Sequence, residues 1–147
     1  MAKVYEFLAN GFEEIEGLAP VDILRRGGVD IKTVSVTGTE WVETSHGVTI
    51  KADLKFEDIA SFEDADMLMI PGGMPGSTNL NEHEGVRQAL IAQHKAGKRI
   101  GAICTAQWFW QAQASSKERR LPVILALSSI SARTPNIPPP SSRKMAT

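Results

Sequence analysis

One pattern constrains this chain more than any other. A short apolar or β-branched run meets a glycine-containing turn, then apolar residues recur at helical spacing, and the cycle repeats. Residues 4–9 (VYEFLA) form the first run, and Asn10-Gly11 ends it. Ile15, Leu18, Ala19 and Ile23 follow at helical spacing and predict a helix with those four on its apolar face. Arg25, Arg26 and Gly27 suit its C-terminus, and Pro20 marks a kink or a late start. Residues 29–36 (VDIKTVSV) alternate and predict a second strand, and 41–50 predict a hairpin around Ser45-His46-Gly47. Residues 66–70 (DMLMI) read as a buried strand running into Pro71-Gly72-Gly73. Val86, Ala89, Leu90 and Ile91 predict the next helix, which Gly97 ends. Residues 99–103 (RIGAI) form another strand, with Cys104 at its end.

Strands alternating with helices imply βαβ crossovers: an α/β domain with a mainly parallel sheet covered on both faces. In such sheets, sites form beyond the carboxyl ends of the strands. Three segments occupy that position: 11–16, 71–76 and Cys104-Thr105. A length of 147 residues is one domain's worth. Sixteen Lys+Arg against seventeen Asp+Glu leave a net charge of -1, which argues against nucleic acid as a partner. A single cysteine excludes a disulfide framework and an all-Cys zinc site. No apolar run is long enough for a membrane span, and the start lacks a secretory h-region, so a cytoplasmic setting is expected.

Cys104 sits among small residues, Gly101, Ala102 and Ala106, as a tight strand-to-helix nucleophile elbow requires. Spacing alone favours the plainer alternative, an inert buried thiol. Glu13, Glu14 and Glu16 follow the first strand. A solvated acidic helix start accounts for Glu13 and Glu14, whereas Ile15 and Leu18 flank Glu16 and carry it toward the core. Gly72 and Gly73 follow a buried strand, where backbone N–H groups can face an anion or where a plain turn suffices. The segment matches neither a phosphate loop nor a dinucleotide fingerprint. His46, His83 and His94 have no metal-ligand spacing and read as surface residues, so no metal or cofactor is expected and no Cys-His dyad is visible.

Taken together, LANGFEEIEGLAPVDILRRGG, MLMIPGGMPGSTNL and KRIGAIC resemble the ThiJ/PfpI family in order and spacing, over residues 1 to about 105. The resemblance implies a flavodoxin-like three-layer α/β sandwich, related to class I glutamine amidotransferase domains and usually homodimeric. It implies that Cys104 is the reactive, oxidation-sensitive cysteine and that Glu16 is the carboxyl that hydrogen-bonds its sulfur. It further implies that Gly72, Gly73 and Thr105 form the oxyanion segment, and that Arg26 lies near the dimer interface and an anion pocket. Implied activities are glyoxalase-type or deglycase-type chemistry on small aldehydes or glycated substrates, redox sensing or chaperone-like behaviour without turnover, and intracellular peptidase activity.

Residues 106–147 depart from that family. Two Trp fall within three residues at 108 and 110, and Pro138, Pro139 and Pro140 run together. Residues 123–127 are a strand candidate, and the stretch from Ser128 reads as disordered. Residues 107 onward can be back-translated with permitted codons and read from two bases later. The result is MVLASAGLL, one undetermined residue, then RKKATCYPGFE, which closely resembles the family's continuation. Loss of one C at the Ala106 codon accounts for the shift. The expectation is an incomplete family domain over 1–105 with an out-of-frame tail lacking the C-terminal elements, and an inactive product is a further alternative.

Overall fold

The computed structural model describes residues 1–106 of the chain. The strand candidate at 123–127, the disorder expected from Ser128 and the tail as a whole lie outside those residues.

Strand β1 (Lys3–Leu8) is the middle of a five-stranded sheet. Helix α1 (Glu14–Arg26) crosses to β2 (Asp30–Ser35), and a small hairpin of β3 (Trp41–Glu43) and β4 (Thr49–Lys51) follows. Next come the two-residue strand β5 (Leu54–Lys55) and a single 3-10 turn, Phe56–Asp58. The chain continues through β6 (Met67–Ile70), α2 (Gly76–Glu82), α3 (Glu84–Lys95) and β7 (Arg99–Ala102). The sheet order is β5-β2-β1-β6-β7, and every pairing in it is parallel. The parallel α/β sheet expected from the alternating pattern is present, and strands, hairpin and the 84–95 helix fall where the sequence places them.

Register divides the β1 side chains between two faces. Val4 aligns with Ile31 and Met67, and Glu6 aligns with Thr33 and Met69. Val4 packs with Val21, Ile31 and Met69 beneath α1, and Leu8 packs with Phe12 and Leu18. Tyr5, Phe7 and Ala9 point the other way, onto Val86 and Leu90 of α3. On that face Phe7 meets Phe62 edge-on with ring centroids 5.0 Å apart, and Phe62 lies 5.3 Å from Phe56.

Of the four residues expected on the apolar face of α1, only Leu18 packs inward. Ile15 is 71% exposed and Ile23 66%, and Ala19 is exposed with them, so these residues form its outer stripe. Gly17 and Val21 are buried instead, with Leu24 half-buried against the same cluster. The reason is close approach. A Cβ at Gly17 would meet the Phe12 ring within 2.6 Å, so a residue without a side chain lets the helix settle on Phe12 and Leu8. The helix also starts at Glu14, well before Pro20, and runs through it.

Candidate functional site

The three segments expected at the site do converge, at the carboxyl ends of β1, β6 and β7. Main-chain hydrogen bonds lock them. Glu13 N–H donates to Gly72 O at 3.0 Å, Gly76 N–H to Gly11 O at 3.0 Å, and Ile103 N–H to Ile70 O at 3.2 Å. The β3–β4 hairpin closes on the first segment, with Gly11 N–H donating to Glu43 O and Ser45 N–H to Phe12 O, each at 2.8 Å.

Cys104 stands two residues beyond the end of β7, with φ 53. It is the one non-glycine residue at positive φ among those described. Left-handed backbone strains an L-residue, and such strain gathers at functional positions. The thiol is exposed, so the structure departs from the inert buried cysteine that spacing alone favoured.

Glu16 reaches the same place from the first turn of α1. Glu13 caps the helix, its Oε2 accepting from the Glu16 N–H at 2.8 Å. The half-buried Glu16 carboxylate accepts from the Gly72 N–H at 3.0 Å through Oε2. A Cβ on Gly72 would strike Glu16 Oε2 and come within 2.8 Å of Cys104 Cβ. Gly72 therefore sits between the carboxylate and the cysteine, and only the absence of a side chain permits that spacing. Its N–H is engaged by Glu16 and so holds the carboxylate; the oxyanion role inferred for Gly72 from resemblance does not fit that bond. Gly73 is half-buried with φ 94, tight against Phe12 and Glu13. Thr105 Oγ1 shares a 2.8 Å hydrogen bond with the buried Ser77 Oγ, which ties the elbow to α2.

Five of the six expected residues are thus gathered: Cys104, Glu16, Gly72, Gly73 and Thr105. Arg26 is not among them. It lies about ten residues along α1 from Glu16, about 15 Å away. It is largely exposed and paired with Asp22 at 2.9 Å. A one-turn ion pair at a helix end is a surface contact.

The sequence reading also missed a partner. Glu14 is half-buried, and its carboxylate meets His46 Nδ1 at 3.0 Å. The hydrogen bond to Glu14 raises the His46 pKa above its usual value, and the same bond lowers that of Glu14. With Glu13, their donor atoms lie within 4.8 Å of one another. A separation of some thirty residues hides this cluster in the sequence; only the docking of the hairpin turn on the start of α1 creates it. A separate cleft of about 500 Å³ lies between α3 and the 56–63 turn, and contains none of the site residues. Among the described residues, no helix is long and apolar enough to cross a membrane.

Known proteins match this chain in sequence and fold. Residues 2–129 match the DJ-1/PfpI family. "Parkinson disease protein 7 homolog" of Danio rerio is 37% identical over 97 residues, which cover 66% of this chain and 51% of the relative. "Glutathione-independent glyoxalase DJR-1.2" of Caenorhabditis elegans is 37% identical over 92 residues, covering 63% and 48%. The solved structure titled "Toxoplasma gondii DJ-1, oxidized" superposes with a TM-score of 0.74 at 35% identity, covering 78% of this chain and 62% of that one. The chain spans about half the length of the curated relatives it matches. Sequence and fold agree that the chain belongs to the DJ-1/PfpI family.

Proposed function

We propose that this chain carries a reactive-cysteine site for small aldehydes, of glyoxalase or deglycase type. The observation behind it is the Cys104–Gly72–Glu16 constellation: an exposed thiol at a strained elbow, with a carboxylate held beside it by one backbone N–H. A relative whose name reads glyoxalase supports the substrate class. Cys104 Sγ attacks the aldehyde carbon of a substrate such as methylglyoxal, and the thiol proton passes to the carbonyl oxygen, giving a hemithioacetal. Glu16 takes a proton from the first carbon and returns it to the second, while the hydroxyl proton of the first carbon passes to the oxygen of the second. The product is a hydroxyacyl thioester, which water cleaves to lactate with the thiol regenerated. The net change is addition of one water, so no cofactor enters the balance. The Gly73 and Thr105 amides serve the developing oxyanion in this scheme.

Several further parts belong to the same proposal. The reaction takes place in a reducing cytoplasm. The exposed α1 stripe of Ile15, Ala19 and Ile23 pairs with a second copy of the chain, alongside the exposed Trp41 and Val48. The segment 106–147 is out of frame, and resequencing the DNA across codons 104–108 tests this: an extra C restores PMVLASAGLL. With the frame restored, Glu16→Gln should keep Cys104 open to thiol alkylation and lose lactate formation from methylglyoxal. Lactate at the parent's rate in that variant would sink the mechanism.

Exposure of Cys104 also favours a second reading, a redox-sensing or chaperone-like stress protein whose thiol peroxide oxidises to sulfinic acid. Peroxide titration followed by intact mass separates the two. A sensor gains oxygen at Cys104 selectively while aldehyde turnover stays negligible.

A further inference from the structure

Glu6 has no part in the chemistry above. It occupies the middle of the central strand, with no exposed surface. Neither carboxyl oxygen has a hydrogen-bond partner among the described residues. Strand alternation puts it on the α1 face, between Val4 and Leu8. Its in-register neighbours are Thr33 on β2 and Met69 on β6. The Thr33 hydroxyl is already engaged by Asp53 at 2.8 Å. A carboxylate there would be a buried charge with no partner, which is far costlier than a neutral acid.

The charged groups of the surrounding elements are all held elsewhere. On α1, Glu13 caps the helix, Glu14 meets His46, Glu16 meets Gly72, Asp22 pairs with Arg26, and Arg25 pairs with Asp53. On β2, Asp30 pairs with Lys32. On β1, Lys3 pairs with Asp64. Beyond Thr33, Asp53 is fixed by the Arg25 guanidinium at 2.5 Å. On β6 the residue facing Glu6 is the uncharged Met69.

We propose that Glu6 is a proton-held latch: its carboxyl stays protonated while α1 is docked, and losing that proton releases α1 from the sheet. Burial pushes the Glu6 carboxyl well above its ordinary range, in agreement with this. Since α1 carries both Glu13 and Glu16, the latch sets how firmly Glu16 is held at Gly72. The inference does not depend on the reaction proposed for Cys104.

The sign follows from linkage. A carboxyl whose folded pKa is raised binds its proton more tightly in the folded state. Its contribution is full below the unfolded pKa of about 4.3 and is lost as pH rises toward the folded value. The test is urea unfolding of the full chain between about pH 5 and about pH 9, with Glu6→Gln and Glu6→Leu alongside. Native-state hydrogen exchange of α1 and α3 amides, corrected for intrinsic rates, accompanies it. The parent's unfolding constant should rise by up to about tenfold per pH unit relative to Glu6→Gln. The α1 amides should lose protection ahead of those in α3, and both variants should lose that pH dependence. Parallel pH profiles for parent and Glu6→Gln would overturn the latch. So would equal loss of protection in α1 and α3. No cooperative unfolding of the parent near the acid end, where the latch is closed, would overturn it as well.

Discussion

The two faces of the sheet share the same strands and differ in chemistry. The α3 face is mostly apolar: Phe7, Val34, Leu68 and Ile100 pack with Phe56 and Phe62, and the buried Gln93 of α3 is satisfied by the Ala65 and Arg99 carbonyls. The α1 face interleaves Glu6, Thr33 and Ser35 with Val4, Leu8, Ile31 and Met69. Each polar group on that face must be satisfied or held neutral. The α3 face holds the larger apolar cluster, and the α1 face, with the strand ends above it, gathers titratable groups and Cys104. Parallel strands buried on both sides are ordinarily apolar on both, so the mixed face marks where this chain departs from pure packing.

The most damaging test of that contrast is Phe7→Ala. Phe7 is fully buried and packs against two aromatic rings, so its truncation should cost about 3–5 kcal/mol, read by urea unfolding. A change below about 1 kcal/mol would move the centre of stability off the α3 face.

Gly72→Ala comes next. Its methyl has no space between Glu16 and Cys104, so turnover should fall about 100-fold or more while most of the stability remains. Gly97→Ala is the control. Gly97 has φ 69 and open space around it, and the substitution should cost about 1 kcal/mol with turnover unchanged.

Asp53→Asn sharpens the pH side of the comparison. Burial pushes Asp53 up, but the Thr33 N–H and hydroxyl and the Arg25 guanidinium outweigh it and hold the carboxyl below its usual range. Its contribution is present above the unfolded pKa and lost as pH falls through the folded one. The variant should cost about 1 kcal/mol near neutrality, and that difference should shrink in acid. Asp53 and Glu6 thus give the α1 face opposing pH limbs, one lost in acid and one lost in base.

The smallest effect belongs to His46→Ala. The ion pair with Glu14 is exposed, so melting near neutrality should barely move. What stability the raised His46 pKa contributes is present below its unfolded pKa and lost as pH rises through the folded one. Melting with and without the substitution on either side of that range checks it.

How much was legible in the sequence follows the range of the interactions. The strands of the sheet core showed as short apolar or β-branched runs, with alternation at 29–36, and the convergence of the 11–16, 71–76 and Cys104 segments followed from parallel topology alone. The buried face of α1 showed only at Leu18, because the residue that docks it, Gly17, has no side chain to signal burial, while Ile15 and Ile23 point outward. Helix α2 went unread because Gly76-Ser77-Thr78-Asn79 carries turn-forming residues rather than helical periodicity. The Glu14–His46 pair and the Gly72–Glu16 bond join residues far apart in the chain, so no local pattern encodes them.

The central claim is that Cys104 is the nucleophile of this site. Its most direct test is the initial rate of methylglyoxal consumption by the frame-restored protein, measured beside its Cys104→Ala variant. The account predicts that the variant falls to the uncatalysed rate while its circular dichroism matches the parent. Equal rates for the two proteins would contradict it.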